Sequence, residues 1–102
     1  MAYQSALAAL SDPTRRLVFE RTLTEPRSVG AIAAGLPVSR PAVSQHLKVL
    51  REAGLVTEQR RGTQRLYVAN AQELGELRAA VEAMWREALG GMAARIEEGL
   101  DK

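Results

Sequence analysis

The apolar residues of this chain recur mostly at the spacing of amphipathic helices, and the clearest case lies near the middle of the sequence. Between residues 39 and 53, the apolar positions that return every three or four residues are Val43, Leu47 and Leu50. Ser39 is suited to cap the start of this helix, Pro41 fits its first turn, and Gly54 is suited to end it. The pattern predicts a helix over residues 39–53 with one buried face.

Two helices are predicted at the start of the chain. The first spans residues 3–10, and its apolar side carries Tyr3, Leu7 and Leu10. The second is capped by either Ser11 or Asp12, has Pro13 in its first turn and ends at Pro26. The residues expected to face the core from this second helix are Leu17, Val18 and Leu23.

A third short helix is predicted to begin after Ser28, with Val29 and Ile32 facing inward. A tight turn through residues 35–37 then leads to the helix that starts near Ser39. Two helices joined in this way, here over residues 28–53, form a helix-turn-helix, whose second helix enters the major groove of DNA.

The hydrophobic period changes after Gly54. The sequence from Val56 to Val68 suits two strands, and "RRGT" suits the turn between them, so residues 55–69 are predicted to form a β-hairpin. A long helix follows over residues 71–98, with apolar positions at Leu74, Leu77, Val81, Met84, Ala88, Met92 and Ile96. The sequence leaves open whether Gly90–Gly91 bends or breaks this helix, since each glycine costs about 1 kcal/mol in a helix. The prediction is one mainly helical domain over residues 1–102, in the order α-α-α-α-β-β-α.

Composition narrows the chemistry of this domain. There is no cysteine and a single histidine, His46, so disulfides, thiolate metal sites and cysteine nucleophiles are excluded. No nucleophile–base pair and no glycine-rich phosphate loop is visible, and we therefore expect no enzyme. No apolar run is long enough for a membrane span, and the N-terminus lacks the basic start of a signal peptide, so a cytoplasmic protein is expected.

Charge is distributed unevenly along the chain, although its net value is only +2. Residues 1–38 hold four basic and three acidic groups, residues 39–65 hold six and two, and residues 66–102 hold four and seven. The central segment is therefore basic and the last third is acidic. This asymmetry indicates an anionic partner for the centre of the sequence.

The polar face of the predicted recognition helix and the hairpin arginines fit double-stranded DNA as that partner. The candidate contact residues on the helix are Ser39, Arg40, Pro41, Ser44, Gln45, His46 and Lys48. Those on the hairpin, which would serve as a wing, are Arg60, Arg61, Thr63, Gln64 and Arg65. His46 borders the buried stripe, so it either contacts DNA or packs at the edge of the core.

Three segments together resemble the ArsR family of bacterial winged-helix repressors. They are "SDPTRRLVFERTL", "SVGAIAAGLPVSRPAVSQHLKVLREAGLV" and "RRGTQRLYV". The resemblance covers about residues 3–90. It implies a homodimer built through the first and last helices, residues 1–10 and 71–98, and a twofold-symmetric operator. The interface residues expected from it are Tyr3, Leu7, Leu10, Leu74, Leu77, Val81, Met84 and Ala88. It also implies repression of transcription that an effector relieves.

The chain departs from the metal-sensing members of that family. Those members carry cysteines on the third helix or a His/Asp/Glu set on the last helix, whereas the third helix here reads "SVGAIAAGL". The last helix has Glu73, Glu76, Glu82 and Glu87 but no histidine, and carboxylates alone make a poor site for borderline or soft metals. We therefore expect no metal and no cofactor. An effector remains possible, and its identity is not readable from the sequence.

Two alternatives stay open. A winged helix can serve as a protein-interaction module, of the antitoxin or anti-activator type, because the fold alone does not establish DNA binding. On the last helix, Met84 and Trp85 belong either to a dimer seam or core, which helical spacing favours, or to an effector pocket.

Overall fold

The element order agrees with the sequence prediction. The computed structural model describes the backbone of residues 2–100 and the side chains of residues 3–91. The elements are α1 (Ala2–Leu10), α2 (Pro13–Glu20), α3 (Val29–Ala33), α4 (Arg40–Glu52), β1 (Val56–Arg61), β2 (Gln64–Ala69) and α5 (Ala71–Leu100). Four helices therefore precede an antiparallel hairpin and one long helix.

The start of α2 is fixed by Asp12 rather than by Ser11. The Asp12 carboxylate accepts a hydrogen bond from the backbone N–H of Arg15 at 3.0 Å, whereas the Ser11 hydroxyl donates to the carbonyl of Ala8. This backbone hydrogen bond lowers the pKa of Asp12. The cap therefore stabilises the fold above the ordinary pKa of aspartate, and its contribution is lost as the pH falls through the lowered pKa.

Serine caps begin the two helices of the helix-turn-helix, as predicted. The Ser28 hydroxyl accepts from the backbone N–H of Ala31 at 3.2 Å, and the Ser39 hydroxyl accepts from that of Ala42 at 3.3 Å. Gly54 follows α4 with a φ of 80°, a left-handed conformation that other residues adopt at a cost. Both ends of α4 are thus specified locally.

Helix α4 lies at the centre of the core and contacts α1, α2, α3 and β1. Its predicted inward residues, Val43, Leu47 and Leu50, are at most 1% exposed. The residues from other elements that are buried with them include Ala6, Ala9, Val18, Phe19, Ile32, Leu55 and Val56. Burial of one aliphatic side chain of this kind stabilises the folded state by about 1.5–3 kcal/mol.

The prediction for the inward face of α2 was partly wrong. Val18 is buried, but Leu17 is 43% exposed and Leu23 is 48% exposed. The helix ends at Glu20 rather than at Pro26, so Leu23 does not belong to its apolar face. Phe19 and Thr22 are buried instead. Thr22 follows Val18 by four residues, about one turn further along, whereas Leu17 and Phe19 flank Val18 on opposite sides and only Phe19 joins the core.

The hairpin is anchored to the helices along its second strand. The two strands pair in register from Val56 opposite Ala69 to Arg61 opposite Gln64. Gly62 opens the two-residue turn with a φ of 60°, as in a type II′ turn. On its outer edge, β2 exchanges two backbone hydrogen bonds between Tyr67 and Arg27, at 2.8 and 2.9 Å. This exchange fixes the hairpin beside the segment that leads into α3.

Helix α5 continues through Gly90–Gly91 without a break. Met92 and Ile96, predicted to extend its apolar stripe, lie outside the residues whose side chains are described.

Asn70 connects the beginning of α5 to the end of α4. Its side-chain N–H donates to the carbonyl of Gly54 at 3.0 Å, its backbone N–H donates to the carbonyl of Leu55 at 2.8 Å, and its side-chain oxygen accepts from Glu73 N–H at 3.4 Å. One residue therefore caps α5 and ties it to the helix-turn-helix.

We predict that Asn70→Ala lowers the free energy of unfolding by about 1–2 kcal/mol, because it removes both the cap and the bond to Gly54. Asn70→Ser keeps a capping oxygen but is too short to reach Gly54, so it should recover part of the loss. Urea denaturation followed by circular dichroism measures both variants. Equal stability of wild type and Asn70→Ala would contradict this role.

Candidate nucleic-acid interface

The outward side of α4 carries the polar residues predicted for DNA contact. Because the apolar side of the helix is fully buried, the opposite side must face solvent. Six of the predicted contact residues are exposed, namely Ser39, Arg40, Pro41, Ser44, Gln45 and Lys48. His46 is half-buried at the border of the stripe, and its charge makes a minor contribution to the lowered pKa of Asp12, after the hydrogen bond from Arg15. This position is compatible with either a DNA contact by His46 or packing at the edge of the core.

Arg40 extends over the short helix α3. A Cβ atom placed on Gly30 would lie 3.0 Å from Nη2 of Arg40 and 3.2 Å from its Cζ. The missing side chain at Gly30 therefore leaves room for the Arg40 guanidinium close to α3. Sequence reasoning missed Gly30, because a contact between residues ten positions apart leaves no mark on helical periodicity.

The hairpin presents its basic residues to solvent. All five predicted wing residues are exposed: Arg60, Arg61, Thr63, Gln64 and Arg65. Arg60 and Arg65 are direct partners across the two strands, so their like charges lie on the same face of the hairpin. Such a pair is unfavourable unless an anion lies nearby.

Glu58 joins the hairpin to α4, and the sequence analysis did not single it out. Its carboxylate accepts from Nη1 of Arg51, in the last turn of α4, and its other oxygen lies 3.4 Å from Nε of Arg65. The Glu58 side chain is 19% exposed, against 52% and 61% for the two arginines. One carboxylate thus bridges the helix and the second strand.

A cleft of about 180 Å³ lies between α4 and β2. It is lined by Ser44, Leu47, Lys48, Arg51, Arg65 and Tyr67. All six basic residues of the central segment are exposed: Arg40, Lys48, Arg51, Arg60, Arg61 and Arg65. Three of them, Lys48, Arg51 and Arg65, meet in this cleft, so α4 and the hairpin together present the positive charge that attracts a nucleic-acid backbone.

The residues predicted for the dimer interface are either half-buried or exposed within their own chain. Leu10, Leu74 and Leu77 are half-buried and pack against the core of their own chain. Tyr3 and Val81 are also half-buried, while Leu7, Met84 and Ala88 are exposed.

The outer part of α5 exposes further apolar surface. Trp85 is 62% exposed and Leu89 is 54% exposed. Trp85 lines a shallow apolar depression of about 300 Å³ together with Val81, Met84 and Ala88.

Two absences hold for the part of the chain that the structure describes. No group of three or more His, Cys, Asp or Glu side chains lies close enough to hold a metal ion there. Within the same residues, no helix combines the length and the apolar character needed to cross a membrane.

A helix-turn-helix followed by a basic hairpin beside its second helix defines the winged-helix class of DNA-binding proteins. Residues 10–59 match the model of a helix-turn-helix domain family. The HTH-type transcriptional regulator Rv2034 of Mycobacterium tuberculosis (strain ATCC 25618 / H37Rv) is 48% identical over 97 residues, which cover 94% of this chain and 91% of that protein.

Solved structures share the fold. An ArsR-like transcriptional regulator from Rhodococcus sp. RHA1 superimposes with a TM-score of 0.81 at 33% identity, over 91% of this chain and 88% of that one. The homodimeric winged helix-turn-helix DNA-binding domain (fragment 1–100) of Mb0332 from Mycobacterium bovis, a possible ArsR-family regulator, gives 0.67 at 26% identity, over 86% and 82%. The present chain belongs to the ArsR family of winged helix-turn-helix transcriptional regulators.

We predict that Gly30→Ala weakens binding to a preferred DNA site without destabilising the fold. The added methyl group displaces the Arg40 guanidinium, whereas alanine in a helix is favoured over glycine by up to about 1 kcal/mol. Gly75→Ala is the matched control, since a Cβ atom at Gly75 meets nothing within 4 Å. Urea denaturation and DNA titration of both variants test this. Unchanged DNA affinity in Gly30→Ala would contradict the positioning of Arg40 by Gly30.

Proposed function

We propose that the protein is a homodimeric, metal-independent repressor that binds a twofold-symmetric operator through α4 and the hairpin. The observation that carries this proposal is the geometry of α4. Its apolar side is fixed in the core, and its polar side is exposed next to an arginine-rich hairpin. A recognition helix needs both features: a backbone held in place by the core and a polar face that is exposed to solvent.

In this proposal, the first two turns of α4 read the bases. Gln45 can pair with adenine by donating from its side-chain N–H and accepting at its side-chain oxygen, Arg40 can pair with guanine, and Ser44 can donate and accept. Ser39 and Pro41 are small enough to let the helix start approach the base edges. Lys48 lies further along the helix and neutralises a backbone phosphate.

The hairpin acts as the wing. Its exposed arginines, Arg60, Arg61 and Arg65, are suited to the adjacent minor groove or to flanking phosphates. Thr63 and Gln64, at and beside the turn, add exposed hydrogen-bonding groups at the tip of the hairpin. These contacts supply affinity that depends on salt more than on sequence.

The homodimer is proposed to form through α1 and α5. Trp85, Leu89 and Met84 expose a contiguous run of α5, and a surface of this kind is covered in most stable proteins. A winged-helix relative of the same family is described as homodimeric. A twofold dimer presents two recognition helices to a symmetric operator, which defines the spacing of the half-sites.

The expected regulatory effect is repression, in the cytoplasm, because a dimer seated on a promoter blocks access to it. Metal independence rests on the residue types: the chain has no cysteine, and its one histidine lies on α4 rather than with the glutamates of α5. Any effector is therefore expected to be a compound other than a metal ion.

We predict that Gln45→Ala weakens binding to the preferred site by about 1–3 kcal/mol and relaxes the base preference at one position of each half-site. Gln72→Ala, an exposed glutamine at the start of α5, is the control. Fluorescence anisotropy with the protein's own promoter fragment and a scrambled duplex, at two salt concentrations, provides the measurement. Equal and weak binding of both duplexes by the wild type would favour the protein-interaction alternative.

We predict that Trp85→Glu converts the dimer to monomers and lowers operator affinity. The side chain is largely exposed within its own chain, so the change affects assembly more than folding. Ala83→Glu introduces the same residue on the opposite side of α5 and should leave the dimer intact. Sedimentation velocity distinguishes the two variants, and a dimeric Trp85→Glu protein would refute the α5 interface.

A further inference from the structure

Glu58 has an unusual position for an acidic residue in a basic surface. It lies between Arg51 of α4 and Arg65 of β2 and pairs with both of them. Its side chain is less exposed than either arginine, so the carboxylate is held behind the guanidinium groups rather than in front of them. The two arginines therefore have a fixed geometry before any ligand arrives.

The charge around Glu58 is not balanced. Lys48, Arg51 and Arg65 line the cleft between α4 and β2, and Glu58 pairs with two of them, Arg51 and Arg65. Arg60 adds a fourth cation directly opposite Arg65 on the hairpin face. Like charges placed opposite each other lower stability unless an anion offsets them. Four basic side chains therefore meet one carboxylate here, which leaves an excess of positive charge that can attract a further anion.

A DNA phosphate fits this cleft better than a base does. Recognition helices reach base edges mainly with their N-terminal residues, whereas Arg51 lies in the last turn of α4. Guanidinium groups bind phosphate oxygens in the same forked geometry that they use for carboxylates. The Ser44 hydroxyl at the edge of the cleft offers a further donor to a phosphate oxygen.

We propose that the cleft between α4 and the hairpin seats one phosphate of the DNA backbone, and that Glu58 acts as an internal counter-anion which limits binding to arbitrary sequence. This proposal rests on the proposed DNA-binding function. In free protein, Glu58 orients Arg51 and Arg65 and partly neutralises them. In the complex, it remains beside the phosphate and weakens the attraction. Base contacts by Gln45 and Arg40 are unaffected, so tight binding requires these contacts in addition to the weakened phosphate contact.

The test is the substitution Glu58→Gln, which keeps the shape of the side chain and removes its charge. At low salt it should tighten binding of a random-sequence duplex of about 30 base pairs by roughly 3–10-fold and steepen the salt dependence. The matched control is Glu82→Gln, which makes the same change in the Arg78–Glu82 ion pair on α5. A variant that fails to fold cannot bind more tightly, so a gain in affinity is diagnostic.

The substitution Arg51→Gln tests the phosphate contact independently of Glu58→Gln. It should weaken binding of the same duplex, reduce the slope of log affinity against log salt by about one, and diminish the gain that Glu58→Gln produces. Arg78→Gln is its matched control and should have little effect.

The outcomes separate the two levels of the proposal. If the wild type binds duplex DNA and Glu58→Gln binds no more tightly than Glu82→Gln, the role of Glu58 is refuted and the DNA-binding function stands. If Arg51→Gln behaves like Arg78→Gln, the phosphate seat is refuted. If the wild type binds no duplex at any salt concentration, the proposed function fails, and the inference fails with it.

Discussion

The burial of one side of α4 is the constraint on which the rest of the molecule depends. Val43, Leu47 and Leu50 are inserted among residues from α1, α2, α3 and the first strand, so α4 cannot rotate without opening the core. Interiors packed to this density tolerate little rearrangement. The orientation of the exposed polar side is therefore a direct result of core packing. The solvent-facing side chains project from a helix backbone whose position is fixed by the buried residues.

Most of the fold could be predicted from the sequence, because its elements carry local signals. The caps at Ser28 and Ser39, the glycine after α4 and the hairpin turn each depend on residues within a few positions of one another. The inward face of α2 was harder to predict. The helix is short, and its sequence does not distinguish Leu17 from Phe19 and Thr22 as core residues. Which of them is buried depends on how α2 packs against α4.

The candidate site was predictable to a lesser degree. The exposed residues of α4 and the hairpin follow from periodicity and charge, since a helix with one apolar side has one polar side. Gly30, Arg51 and Glu58 could not be found in that way. Each contacts a partner seven or ten residues away, in another helix or strand. Neither helical nor strand periodicity reveals contacts between different elements. The roles of Leu74 and Leu77 were also underdetermined, because an apolar stripe does not state whether its own chain or a second copy covers it.

The joint at Asn70 has a consequence for how the molecule can be controlled. Two bonds from this residue attach the start of α5 to the residues that directly follow α4. These bonds hold the start of α5 next to the end of α4. In a dimer joined through α5, the distance between the two recognition helices would depend on the angle between α5 and α4. In the proposed dimer, a compound that tilts α5 by a few degrees would displace both recognition helices at once, so release of the proposed operator would not require contact with the DNA-facing surface.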